Sequence, residues 1–138
     1  MPVFNIHVKE GAFTPLEKKG LAEAMNLALH EAMETPMDDQ FILIDEHKEE
    51  DFYITPTFPN MQRTDKRMLV NVSFGESRTL EQKRKLAELV THYAMEKAGV
   101  GADDVSMMMY ALPLANMTFG QGKLISDIDL SMPWVDKK

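Results

Sequence analysis

The chain contains an internal repeat, and this repeat limits the folds that it can adopt. When positions 14–39 are compared with positions 79–104, eight of the 26 carry the same residue, whereas average amino-acid usage would give about two such matches by chance. Asp39 and Asp104 are one matched pair, and each stands just before an apolar, strand-like run. The repeat therefore predicts two tandem β-α-β units, roughly 1–66 and 67–138, within a single domain.

Local patterns predict the elements of each unit. Alternating apolar residues indicate strands, and Thr14, Pro15 and Glu17 are typical of a capped helix start that Thr79 repeats in the second unit. We expect an α/β (α+β) fold in which two helices cover one face of a four-stranded mixed sheet. The predicted strands are 2–8, 41–44, 67–74 and 105–112, the first helix ends at 35–36, and long irregular segments occupy 48–66 and 113–138.

Composition excludes several functional classes. There are 15 basic and 22 acidic residues, a net charge of −7, so nucleic acid and anionic membranes are poor partners. No cysteine is present, which removes disulfides and thiol chemistry. The four histidines lack ligand spacing, so we expect no metal and no cofactor. The first residues do not resemble a signal peptide, which predicts a cytoplasmic protein. The twelve methionines, including Met107, Met108 and Met109, are predicted to fill the core.

The predicted topology brings three distant residues to one end of the sheet. The two strands of a β-α-β unit run parallel. Pro2 begins the first strand and Asp39 immediately precedes the second, so the two residues should be neighbours. If the second unit pairs antiparallel with the first, the third strand ends beside them, and Arg78 follows that end. An amine, a carboxylate and a guanidinium would then meet.

Pro2 is the most informative of the three. A small second residue permits removal of Met1, which would leave a secondary amine whose ordinary pKa lies near 8. Burial or a neighbouring Arg78 would lower that pKa, and a base near neutrality suits proton transfer beside a carbonyl. At the offset that matches Thr14 with Thr79, Arg67 is the expected counterpart of Pro2, and an internal residue has no free amine.

These residues lie in motifs that occur together in a known family. The chain resembles the tautomerase superfamily (4-oxalocrotonate tautomerase-like), in its fused-subunit branch of malonate semialdehyde decarboxylase-like proteins. The motifs, in chain order, are Met1-Pro2-Val3, Glu10-Gly11, Pro36 with Asp38-Asp39 and Phe41, Glu46-His47, Glu50-Asp51-Phe52, Arg78-Thr79 with Glu81-Gln82-Lys83, Asp103-Asp104-Val105, and Phe119-Gly120-Gln121-Gly122.

The resemblance implies a site and an assembly. It implies Pro2 as catalytic base or acid, Asp39 as its polar partner, Arg78 as the clamp on a substrate carboxylate and Phe119 as a pocket wall. It also implies a homotrimer with sheets facing inward and helices outside.

Four positions depart from the family pattern. Ala12, Gln40 and Glu76 stand where relatives often carry arginine, and Met117 stands where a tryptophan is common. The loss of cations weakens a decarboxylase assignment.

Three functions follow as hypotheses. The first is an isomerase that tautomerises a small 2-oxo or β-keto carboxylic acid. The second is a lyase or hydratase that acts on a β-keto acid such as malonate semialdehyde at the same site. The third is a catalytically idle trimer that binds a metabolite. Each residue also has a purely structural alternative, namely a turn aspartate for Asp39, a solvated helix-start cation for Arg78 and a glycine turn around Phe119.

Overall fold

Four strands form one mixed sheet in the computed structural model, which describes residues 2–128; Met1 and 129–138 lie outside the described residues. The strands run in the order β2-β1-β3-β4. Each unit contributes a parallel pair, and the central β1 and β3 are antiparallel. This topology confirms the predicted fold. The strands are β1 (Val3–Lys9), β2 (Ile42–His47), β3 (Met68–Gly75) and β4 (Val105–Leu112).

Two helices of 19 residues cover one face of the sheet, α1 (Pro15–Met33) and α2 (Leu80–Ala98). Thr14 and Thr79 each begin a helix with a capping box, which satisfies backbone N–H groups that have no partner within the helix. Helix α1 ends earlier than predicted, because Glu34 adopts a left-handed conformation at φ 57°. Neither α1 nor α2 combines the length and apolarity needed to cross a membrane.

The sheet has one covered face and one open face. Alternate residues of β1 and β3, such as Phe4, Ile6 and Val70, are buried against the helices. The open face instead exposes apolar side chains, including Leu43 and Met108, which are 57% and 55% exposed. Met107 and Met109 pack against the core as predicted, but the expectation for Met108 is wrong, because alternate residues of a strand point to opposite faces.

Strand pairing defines how the two units correspond. Ile42 pairs with Phe4 in the first unit, and Met107, which matches Ile42 at the offset of the helix repeat, pairs with Val70 in the second. Phe4 and Val70 are both buried in the core, and they lie one position further apart along the chain than Ile42 and Met107 do. The offset between β1 and β3 is therefore one position longer than the offset between the two helices.

The predicted equivalence of Pro2 and Arg67 is consequently wrong. Met68 is the residue that corresponds to Pro2, because the connection from β3 to α2 is one position shorter than the connection from β1 to α1. Met68 is buried inside the chain, and its nitrogen belongs to a peptide bond. The inference that the second unit has no free amine is unaffected.

Candidate active site

Strands β1 and β2 begin, and β3 and β4 end, at one end of the sheet, which is called the Pro2 end below. Pro2 is buried and precedes Val3, the first residue of β1. The Phe4 N–H donates to the Phe41 carbonyl at 2.8 Å. Asp39 lies two positions before Phe41, so the parallel register brings Asp39 to the end of the sheet where Pro2 lies.

The turn that carries Asp39 is held by its backbone and by helix α1. The Asp39 N–H donates to the Pro36 carbonyl at 3.1 Å, and the Asp39 side chain is half-buried. From α1, the Asn26 side-chain amide donates to the Met37 carbonyl at 2.7 Å. Sequence reasoning missed Asn26; the one available signal was an asparagine within an otherwise apolar helix face.

Arg78 contacts the end of helix α1. Its Nη1 donates to the carbonyl of Met33 at 3.1 Å, and Met33 is the last residue of α1, whose carbonyl has no partner within the helix. Arg78 therefore has a structural contact, which the alternative of a solvated helix-start cation did not include. A guanidinium has five N–H donors, so this single bond leaves capacity for a substrate carboxylate.

Two of the positions that depart from the family pattern, Glu76 and Ala12, lie at opposite ends of the sheet. Glu76 follows β3 at the Pro2 end, where its N–H donates to the Leu112 carbonyl, and its side chain is exposed. Ala12 follows β1, so it lies at the opposite end of the sheet, which is called the far end below. Glu76 therefore adds a negative charge at the Pro2 end of the sheet.

Phe119 lies beside the start of β2. Its ring packs edge-on against Phe41, with the ring centroids 5.2 Å apart. The next three residues, Gly120, Gln121 and Gly122, all have positive φ angles of 138°, 60° and 66°, and an angle of 138° favours glycine. The predicted glycine turn is present, and it follows a phenylalanine that contacts Phe41 at the Pro2 end.

The far end of the sheet contains the internal counterpart of this site. Leu69 and Ser106 correspond to Val3 and Phe41 by strand register, and Ile54 lies in the neighbouring 48–66 segment. A concavity of about 350 Å³ lies here. Its lining comprises Tyr53, Ile54, Thr55, Phe58, Pro59, Arg63, Leu69 and Ser106.

Asp104, the counterpart of Asp39, is a structural residue at the far end. It is 1% exposed. Its carboxylate accepts from the Thr64 N–H at 2.6 Å, from the Thr64 hydroxyl at 2.8 Å and from the Gly101 N–H at 2.8 Å. These bonds tie the 48–66 segment to β4. The two matched aspartates differ in burial, since Asp104 is buried and Asp39 is half-buried.

Two carboxyl groups with lowered pKa values lie at the far end. A hydrogen bond from the Lys66 ammonium lowers the pKa of Glu17, and a hydrogen bond from Lys18 lowers that of Glu46. Lys66 also donates to the Ala98 carbonyl at the end of α2. These contacts hold the framework together and do not touch the Pro2 end.

Comparison with known proteins identifies the family. A family model described as tautomerase enzyme matches residues 39–120, and a second with the same description matches residues 2–60. The chain belongs to the tautomerase family. Two proteins of Bacillus subtilis (strain 168), the probable tautomerases YusQ and YrdN, are each 27% identical over 123 residues, which cover 89% of this chain and 96% and 94% of theirs.

Solved structures share the fused two-unit fold. A malonate semialdehyde decarboxylase superposes with a TM-score of 0.80 at 23% identity, covering 88% of this chain and 92% of that one. A fused 4-OT described as a symmetric trimer superposes with a TM-score of 0.75 at 22% identity, covering 90% of this chain and 96% of that one. The chain is thus a fused-subunit member of the tautomerase superfamily.

Proposed function

We propose that the protein is a cytoplasmic isomerase that tautomerises a small 2-oxo or β-keto carboxylic acid, with the amine of Pro2 as general base and acid. The observation that carries the proposal is the position of a buried Pro2 at the end of the sheet that Asp39, Arg78 and the aromatic pair Phe41–Phe119 also approach. Removal of Met1 would make the ring nitrogen of Pro2 a free secondary amine.

The surroundings of Pro2 suit a base that works near neutral pH. Burial disfavours the charged form and lowers the pKa of an amine. The Arg78 guanidinium acts in the same direction, whereas the Asp39 carboxylate favours the prolyl ammonium and acts in the opposite direction. Burial and Arg78 together would leave a useful fraction of the amine uncharged at pH 7.

The reaction moves one proton at a time. The uncharged Pro2 nitrogen takes a proton from the carbon beside the substrate carbonyl, and the electron pair moves onto the carbonyl oxygen to form an enolate. The prolyl ammonium then returns the proton to that oxygen, which gives the enol and restores the base. Arg78 would bind the carboxylate and stabilise the enolate. Asp39 would orient the ammonium or a water molecule.

The test compares Pro2→Ala with the unaltered protein on phenylpyruvate. We expect kcat/KM to fall by about 10²–10⁴-fold, the usual contribution of a general base, while fold and assembly persist. Intact mass must show that Met1 is removed from both proteins, so that each carries an α-amine. Equal rates would end the proposal.

The same protein preparation can be used to test the two alternative functions. Release of carbon dioxide from malonate semialdehyde, or hydration at the same site, would identify a lyase; the negative Glu76 at the Pro2 end disfavours this alternative. Retention of Met1 would favour an idle metabolite-binding protein, because the ring nitrogen would then be an amide.

The open face of the sheet supports a homotrimer as the working unit. Leu43, Met108 and Tyr110 expose apolar surface there, between 49% and 57% of each residue, and such a patch is typical of a buried interface. Three inward-facing sheets would cover it. Light scattering should then give about three times the chain mass of 15.7 kDa, and a monomer would contradict this assembly.

A further inference from the structure

The connection from α1 to β2, residues 34–41, is anchored to the helix by two polar side chains. Asn26 donates from Nδ2 to the Met37 carbonyl at 2.7 Å. His30 donates from Nδ1 to the Thr35 carbonyl, also at 2.7 Å. The two side chains stand four positions apart and therefore share one face of α1. The connection that they hold carries Asp39.

Asn26 is unusual because of where it lies. It is 5% exposed, and a buried amide is costly unless it is hydrogen-bonded. Asparagine is also a poor helix former. Neither burial nor helix propensity favours asparagine here, so the bond to Met37 is the feature that accounts for it.

The second unit holds the equivalent connection differently. Thr91 matches Asn26 at the offset of the helix repeat, and its hydroxyl donates to the Ala87 carbonyl of its own helix at 2.9 Å. There the Asp104 carboxylate itself accepts the anchoring bond from the Gly101 N–H. In the first unit, which contains Pro2, the Asn26 side chain of helix α1 supplies an anchoring bond to the connection.

We infer that Asn26 is a positioning residue, which fixes Asp39 relative to Pro2 by holding the Met37 carbonyl two positions before it. The inference rests on the proposed function. The end of α1 also receives the Arg78 bond at Met33, so one helix sets the positions of both polar partners. Loss of the Asn26 amide would let the turn shift, and a displacement of about 1 Å can cost up to about 10²-fold in rate.

The test is Asn26→Ala, with Thr91→Ala as the matched control at the equivalent helix position. We expect Asn26→Ala to lower kcat by about 10-fold and to move the acid limb of the kcat/KM profile to lower pH. The direction follows because a displaced Asp39 carboxylate no longer stabilises the prolyl ammonium. Thr91→Ala should leave both quantities unchanged.

A double-mutant cycle shows whether Asn26 acts through Asp39. In an Asp39→Asn background, Asn26→Ala should produce no further movement of the acid limb, because the charge that it positions is absent. An equal movement in both backgrounds, or a lowered melting temperature with an unmoved acid limb, would overturn the inference.

Hydrogen exchange tests the positioning role of Asn26 without a measurement of activity. The Asp39 amide is bonded to the Pro36 carbonyl, and Asn26→Ala should accelerate its exchange by about 10-fold or more, while Thr91→Ala should not. Unchanged exchange would overturn the inference whatever the rates. Failure of the proposed function can be distinguished from failure of this inference. If the proposed function is wrong, Pro2→Ala will keep full activity, but the exchange measurement will still test the role of Asn26.

Discussion

Asp39 and Asp104 occupy matched positions before β2 and β4, but we propose a catalytic role for Asp39 and a structural role for Asp104. Replacing each aspartate with asparagine distinguishes the two roles. Asp104 is buried with three donors around its carboxylate. Oδ1 accepts one of these bonds, and Oδ2 accepts the other two. Asp104→Asn retains the shape of the side chain but keeps only one acceptor oxygen.

The loss can be estimated from these contacts. In the better orientation the amide oxygen replaces Oδ2, and the NH₂ group faces the Thr64 N–H, a donor against a donor. One hydrogen bond to a charged group is worth about 1.5–3 kcal/mol, and the other two lose their charge assistance. Asp104→Asn should cost about 2–4 kcal/mol. With about 2.1 cal/mol/K of unfolding entropy per residue, the melting temperature should fall by roughly 7–14 °C.

The assay is thermal unfolding at a fixed protein concentration, because assembly makes the melting temperature concentration-dependent, together with kcat measured well below the transition. Asp104→Asn should keep kcat within about twofold, since Asp104 lies at the far end of the sheet and a general base loses little from a distant change. Asp39→Asn should lower kcat by about 10-fold or more, and its melting temperature should fall less than that of Asp104→Asn because Asp39 is less buried. A melting temperature unchanged in Asp104→Asn, or the reverse pattern, would refute the assignment.

Two further predictions concern the framework. A Cβ on Gly20 would overlap the Lys97 carbonyl oxygen, so Gly20→Ala should force α1 and α2 apart. Urea titration should show that the free energy of unfolding falls by about 1–3 kcal/mol. A more stable variant would contradict the close approach of the two helices. Lys66 lowers the pKa of Glu17 below its usual 4.5, so this pair contributes stability above pH 4.5 that is lost as the pH falls through the lowered pKa. Glu17→Gln should therefore be less stable at pH 7 and lose less stability on acidification from pH 5 to 3; parallel pH profiles would contradict this.

Most of the architecture could be predicted because its signals are local. Thr14 and Thr79 begin the helices with hydrogen bonds to residues three positions away, and alternation marks the central strands. The prediction for β2 was too short, 41–44 against Ile42–His47. This strand lies at the edge of the sheet, and its last three residues are polar and only partly covered, so the apolar pattern stops before the strand does.

The fixed offset of the repeat misled the comparison of Pro2 with Arg67. The connection from β3 to α2 is one position shorter than the connection from β1 to α1. An offset that aligns the two helices therefore misaligns β1 with β3 by one position. Only the strand pairing, Ile42 with Phe4 and Met107 with Val70, reveals this shift. Sequence identity was concentrated in the helices, so the count of matches could not detect the shift.

The site was predictable only in part. Topology alone brings Pro2 and Asp39 to the same end of the sheet, because parallel strands begin together. The bond from Arg78 to Met33 and the bond from Asn26 to Met37 depend on how side chains from distant segments meet. Neither contact follows a spacing rule, so neither could be read from the sequence.

The pKa of the Pro2 nitrogen tests the central claim most directly. It can be followed by ¹⁵N NMR in protein labelled at proline, after intact mass has shown that Met1 is removed. Burial and Arg78 should place this pKa below the value near 8 of an ordinary α-amine, and Arg78→Ala should raise it. A nitrogen that titrates at or above that value, or one that remains in a peptide bond to Met1, would contradict the proposed chemistry.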